Sequence, residues 1–170
     1  MNSALKTANA VGLAFRPVNP LADAETLIWF GRDLYRESVG SDRKFEQDFG
    51  RTGARFPMWI AACAAADPSF AMLLMRDETA IGMIVLGADC RDPAVGHIHH
   101  LYVAPGHRGG GYGGLLDDYA REAFALAGFR RAQLNVAAGN RRALRFYIAQ
   151  GWRDIGASRN GALRYMEVAI

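Results

Sequence analysis

Between His97 and Leu116 the chain reads HIHHLYVAPGHRGGGYGGLL. Three histidines, His97, His99 and His100, and then His107 precede five glycines that fall within six residues, Gly109 to Gly114, interrupted only by Tyr112. Histidine, with an ordinary pKa of about 6.5, exchanges protons near neutral pH and suits the work of a general base. A glycine run at the entrance to a helix does something else. It presents successive backbone N–H groups with no side chains in the way, beside the positive end of the helix dipole, and so can cradle a phosphate. Arg108 adds a planar, forked cation matched to phosphate oxygens.

These residues need a strand before the glycines and a helix after them. His97 to Val103 reads as a strand, and simple alternation puts His97 and His99 on one face and His100 on the other. Upstream, Phe70 to Arg76 and Ala80 to Gly87 are apolar runs around the polar turn DET, an antiparallel hairpin that makes the histidine strand the third of a meander. Downstream, the helix runs to about Ala127 with Gly128 as its stop, and Arg131 to Ala137 forms the next strand. Asn140 caps a helix to about Gln150, and Trp152–Ser158 and Leu163–Val168 form strands joined through RNGA, where Asn-Gly signals a hairpin. The order of elements is a meander, then strand, helix, strand, helix and hairpin.

The N-terminal third is harder to read. Residues 1–10 have no convincing period and are expected to be disordered, so that a single domain spans residues 11–170. Val11 to Val18 alternates as a first strand, and Leu21 to Val39 carries apolar residues at helical spacing ahead of Gly40. Ser41 to Phe70 is expected to hold one or two helices with Phe45, Phe49, Phe56, Trp59 and Ile60 inward, and Met58 to Ala66 reads as a buried helix. Arg43, Arg51 and Arg55 offer either a binding lid or a solvated face.

Composition narrows the class. A chain of 170 residues, 51% hydrophobic and 22% charged, suits one globular domain with a substantial core. The net charge of +3 is scattered among 17 acids and only two of the 20 basic residues are lysines, which does not mark a nucleic-acid binder. Cys63 and Cys90 have no metal-type or disulfide-type spacing and point to reduced thiols and a cytoplasmic setting. No apolar run approaches the ~20 residues needed to cross a bilayer, so no membrane partner is expected. The HxH pair lacks an evident third ligand, and no metal is expected.

Several motifs compete for the glycines. Gly109, Gly111 and Gly114 satisfy GxGxxG, the dinucleotide fingerprint, but the following strand, RAQLNVAA, has no acid to hold a ribose, and 56 residues after Gly114 leave no room for that fold. A nucleotide-hydrolysing loop needs Lys-Ser/Thr where Leu115 and Leu116 stand. The third reading takes Arg108, Gly111 and Gly113 as R-x-x-G-x-G. In that form the stretch resembles the acetyl-CoA motif of the GCN5-related N-acetyltransferase family, and LNVAAGNRRALRFYIAQGW follows at the interval of that family's second motif. The resemblance covers roughly Phe70 to the C-terminus.

The resemblance implies a single α/β domain with a mixed, strongly twisted sheet of about seven strands flanked by helices. It implies acetyl-CoA as acyl donor and direct transfer to a primary amine in a ternary complex, the alternative being a non-catalytic acyl-CoA sensor. It assigns Arg108, Gly109, Gly110, Gly111, Tyr112, Gly113 and Gly114 to the pyrophosphate, backbone groups of Leu101, Tyr102 and Val103 to the pantetheine and thioester, and Asn140 to the cofactor arm. Tyr147 is the implied acid for the leaving thiolate and also contacts the cofactor. His99, supported by His97, is the candidate base, titrating near 6.5. Partners are a small-molecule or peptide amine, with a homodimer left open and the acceptor unread.

Overall fold

The computed structural model describes residues 12–170. The segment expected to be disordered, residues 1–10, lies outside the described residues, as does Val11. The first strand, β1, is Leu13–Pro17. Three helices follow: α1 (Ala24–Val39), α2 (Arg43–Phe49) and α3 (Arg55–Cys63). The meander is β2 (Ala71–Arg76), β3 (Thr79–Ala88) and β4 (Gly96–Val103). Then come α4 (Tyr112–Leu126), β5 (Arg131–Ala137), α5 (Arg141–Ala149), β6 (Arg153–Ala157) and β7 (Leu163–Ala169).

Seven strands make one sheet in the order β1-β2-β3-β4-β5-β7-β6, the mixed seven-strand architecture expected from the sequence. All neighbours are antiparallel except β4 and β5, the pair joined through α4. That pair is short: only Gly96–Ile98 meets Ala132–Leu134. Beyond it the two strands part. The cause lies on the other edge of β4, where Val85 pairs with His100 and Leu86 with Ile98, so that His99 is an extra residue, a β-bulge that bends the strand. A sheet that splits in its middle leaves a cleft there.

Each face of the sheet buries its own core. Leu115, Leu116, Tyr119 and Phe124 of α4 and Tyr147 of α5 cover one face together with Leu74, Ile84, Ile98 and Leu134. Leu27 and Phe30 of α1, Phe45 of α2, and Phe56 and Ile60 of α3 cover the other, against Leu73, Met83, Val85 and Tyr102. The inward expectation for these apolar residues holds for Phe45, Phe56 and Ile60, whereas Phe49 and Trp59 stay partly open. The helix read as buried from Met58 to Ala66 ends at Cys63 and has an outer side, since Met58 is 59% exposed. No helix among the described residues is long and apolar enough to cross a membrane.

Candidate active site

The cleft between β4 and β5 has a volume of about 640 Å3. Its walls come from β4 and β5, the glycine turn, α5 and the C-terminal half of α1. The glycine turn is shaped by two different needs. Gly109 and Gly111 have φ of 84° and 82°, the left-handed region where a side chain is strained. Gly110 and Gly113 instead yield space: a Cβ on either would stand 2.8 Å from the Tyr112 ring or 3.1 Å from the Phe146 ring. Gly111 is the N-cap of α4, so the N–H groups of Tyr112, Gly113 and Gly114 open that helix without intrahelical acceptors. They form a ready anion site.

Arg108 does not match the expectation of a free phosphate clamp. Its Nε donates to Val103 O at 2.9 Å, Nη2 meets Asp33 Oδ2 at 2.8 Å and Nη1 meets Glu37 Oε2 at 3.1 Å. The guanidinium also lies over the Tyr102 ring. These contacts tie it to α1 and to the end of β4, so it braces the loop, while it also lines the cleft. Tyr112 is similarly engaged, its hydroxyl bonded to Arg76.

Of the backbone groups expected from Leu101 to Val103, two face the cleft. Ala104 N donates to Ile81 O on β3, and alternation by two puts Tyr102 on that same edge, leaving Leu101 and Val103 toward the split. The Tyr102 side chain is buried on the α1 face with its hydroxyl donating to Asp33 Oδ2 at 2.8 Å. The Tyr102 side chain thus ties β4 to α1. Asn140 takes the expected capping role, its side chain accepting from Ala143 N at 3.0 Å at the start of α5, and it also lines the cleft. Tyr147 also lines the cleft, is 8% exposed, and packs edge-on to Trp152 and Phe146. Burial, with the nearby Asp117 carboxylate, raises its phenol well above the ordinary value. It stays protonated at neutral pH.

The histidines depart from simple alternation. The bulge at His99 turns His99 and His100 to the same face, where Trp59 of α3 meets both rings, at centroid distances of 5.4 and 5.2 Å. His97 shares that face, 5.0 Å from the His99 ring. The expectation that His100 points away is therefore corrected. Room for His99 comes from Gly87, opposite His97 on β3, where a Cβ would stand 2.6 Å from His99 Nε2. His97 Nδ1 lies 3.4 Å from the buried Asp89 Oδ2, out of line for a hydrogen bond.

Burial decides how these rings titrate. It lowers His99 to about 4, helped by His97 and opposed by Asp89, and lowers His100 to about 3, helped by both neighbours. His97 is also below its ordinary value, because burial outweighs the attraction of Asp89. The expected titration near 6.5 is thus displaced, and the rings are neutral at pH 7. No group of three or more metal-ligating side chains occurs among the described residues. Cys63 is a free, partly buried thiol whose pKa burial raises to about 11, and the free, exposed Cys90 has no role in the cleft.

A second cavity of about 280 Å3 opens against the same histidines. Tyr35, Ile98, His99, His100 and Asn135 line both cavities, so the two meet at one wall. Its outer side is Asp48, Phe49 and Trp59, which sequence reasoning did not single out as site residues; their only signal was the density of aromatics between residues 45 and 60. Arg43, Arg51 and Arg55 are exposed and line neither cavity, so the solvated-face reading holds over the lid.

A sheet split at a β4 bulge, with a bare glycine turn opening the next helix, defines an acyl-CoA-dependent transferase fold. The sequence profile of the Acetyltransferase (GNAT) family matches residues 32–152, and the chain belongs to that family, with acetyl-CoA as its acyl donor. No curated protein sequence matches the chain. Among solved structures, PaiA N-acetyltransferase from Thermoplasma acidophilum in complex with coenzyme A is 18% identical with a TM-score of 0.77, covering 93% of this chain and 99% of that one. Arabidopsis thaliana Naa50 in complex with the bisubstrate analogue CoA-Ac-MVNAL is 17% identical with a TM-score of 0.69, covering 94% and 99%. Ard1 from Thermoplasma volcanium is 16% identical with a TM-score of 0.70, covering 94% and 98%.

Proposed function

We propose that the protein transfers the acetyl group of acetyl-CoA directly to a primary amine while both substrates are bound. One observation carries this reading: the cleft that holds the glycine turn and Tyr147 shares its histidine wall with the second cavity. A donor thioester in the first and an amine in the second would meet at that wall, and holding reactants in one geometry contributes ~7–11 kcal/mol toward a barrier. The N–H groups of Tyr112, Gly113 and Gly114 hold the pyrophosphate, and the N–H groups of Leu101 and Val103 on the open edge of β4 pair with the pantetheine and polarise the thioester carbonyl, the Val103 carbonyl being bonded to Arg108.

The amine nitrogen attacks the carbonyl carbon, the carbonyl oxygen takes the electron pair, and the nitrogen becomes positively charged. His99, neutral above about pH 4, accepts the nitrogen's proton as the C–N bond forms. His97 and Asp89 extend the row inward from it. Collapse expels the CoA thiolate, which Tyr147 protonates. Cys63 takes no part as an acyl carrier, since its thiol is protonated and lines neither cavity.

The sensor alternative would keep the glycine turn and need no proton-transfer groups beside it. Free-thiol release from acetyl-CoA, followed with a panel of amines, tests the proposal. Amine-dependent release supports it, and tight acetyl-CoA binding without release by any amine favours a sensor. The unpaired cysteines continue to favour a cytoplasmic setting, and the domain is taken as residues 11–170.

A further inference from the structure

Among the described residues three polar or charged side chains are buried: Asp89, His97 and Asp117. The first two stand at the histidine wall. Asp117, on α4, is fully buried and has no step in the reaction proposed above. Both of its oxygens are engaged. Trp152 Nε1 donates to Oδ1 at 2.9 Å, and Arg121 Nε, one turn further along α4, donates to Oδ2 at 2.8 Å. Arg121 then reaches past Asp117: its Nη2 donates to Gln150 O at 2.6 Å, just beyond the end of α5, and its guanidinium lies over the Trp152 ring.

Tyr147 is held by the same residues. Its ring packs edge-on to Trp152 at 5.7 Å, and its backbone carbonyl accepts from Trp152 N at 2.9 Å. No group among the described residues hydrogen-bonds the phenol, so the packing of the ring decides where its proton points. A proton donor at a reacting atom tolerates little drift, since a misplacement of about 1 Å can cost about 100-fold in rate.

The carboxylate is not there as a net stabiliser. Burial raises the Asp117 pKa and outweighs Arg121 and Trp152, which both favour the charged form. A buried ion pair is weak support for stability, and its neutral replacement is often harmless to the fold. What the charge does give is a fixed direction to the indole N–H and the guanidinium that meet it.

We propose that Asp117 is a positioning residue for the reaction: by fixing the Trp152 indole and, through Arg121, the end of α5, it sets the Tyr147 hydroxyl at the leaving sulfur. The inference rests on the acid role given to Tyr147 above and adds the residues that aim it. The helix that opens at the glycine turn then also aims the acid.

The test is a double-mutant cycle on kcat at saturating acetyl-CoA, with whichever of butylamine, phenethylamine, spermidine or a pentapeptide with a free N-terminus turns over fastest. Asp117→Asn and Arg121→Gln are each made alone and on a Tyr147→Phe background. Alone, each should lower kcat about tenfold while KM for the amine and acetyl-CoA affinity, read by calorimetry, hold. On the Tyr147→Phe background each should cost less than about twofold, because the hydroxyl they aim is gone. The melting temperature of Asp117→Asn at pH 7 should hold, which separates lost aim from a loosened fold. Arg121 is partly exposed, so Arg121→Gln keeps the test open should Asp117→Asn fail to fold.

Wild-type kcat in every folded single variant overturns the positioning role and leaves Tyr147 as the acid. A loss of kcat undiminished on the Tyr147→Phe background marks a structural brace and overturns it too. Wild-type kcat in Tyr147→Phe removes the acid, and its positioning with it. Acetyl-CoA binding without turnover of any of these amines removes N-acetylation as well.

Discussion

Gly87→Ala is the sharpest single perturbation of the proposed site, because the nearest atoms its Cβ would meet all belong to the ring of the proposed base, His99. Gly87 lies on β3 with ordinary strand geometry, so alanine meets no backbone strain there. Its new Cβ would stand 2.6 Å from His99 Nε2 and 3.1 Å from Cδ2, where ordinary contact begins near 3.4 Å. The imidazole must withdraw by about 1 Å, since the backbone of two paired strands is the stiffer partner. A displacement of that size can cost about 100-fold in rate when the group acts at the reacting atoms. Crowding of a packed strand adds a stability loss of about 1 kcal/mol, the low end for an added methyl. The glycine turn lies elsewhere, so acetyl-CoA affinity should not change. The assay is kcat/KM for an accepted amine beside calorimetric titration of acetyl-CoA and a thermal melt. A folded Gly87→Ala protein that binds acetyl-CoA and turns over at the wild-type rate would refute the placement of His99 at the reacting amine.

Tyr147→Phe should lower kcat by about 100-fold with acetyl-CoA affinity unchanged, and a variant with full kcat would return Tyr147 to a packing role. Arg108→Ala should lower thermal stability by about 2 kcal/mol, because it leaves the partly buried Asp33 with Tyr102 as its remaining side-chain partner; loss of acetyl-CoA affinity with an unchanged melt would restore the phosphate-clamp role. Gly111→Ala, at φ 82°, should cost about 1 kcal/mol of stability and weaken acetyl-CoA binding, to be read by melt and titration. The pH response follows from the depressed histidines. Below about 6.5 the unfolded chain takes protons that the folded cleft refuses, so stability should fall as pH drops from 6.5 toward 4, and the acidic limb of kcat/KM should lie near 4 instead of 6 to 7. A limb near 6.5 that His99→Gln removes would show the base to be more solvated than the cleft makes it.

Much of this protein was legible along the chain because local rules fixed it. Arg131–Ala137 is the strand expected residue for residue, Gly40 and Gly128 both take positive φ at helix ends, and Asn140 caps α5. Propensity, capping and turn chemistry act over a few neighbours, and a sequence displays them directly. The glycine turn was legible for the same reason: a strand, five glycines and a helix are contiguous, and no distant partner is needed to set that order.

What tertiary structure alone decided is the direction and charge of the groups around that turn. Alternation assigned His100 to the far face, but one extra residue in the pairing of β3 with β4 brought it beside His99 and Trp59. A bulge is a property of two paired strands, and neither strand's own pattern announces it. Arg108 looked free in sequence, whereas Asp33, 75 residues earlier, and Glu37 hold it from α1. The histidines' low pKa values come from helices α1 to α3 packed over them, so a residue type with an ordinary value near 6.5 becomes neutral throughout the working range. Asp48 and Trp59 join the same cavity wall because α2 and α3 fold onto the sheet face that carries β4's histidines. Sequence spacing sets what a segment can form by itself; burial and cross-chain pairing set what its side chains meet, and those depend on contacts between residues far apart in the chain.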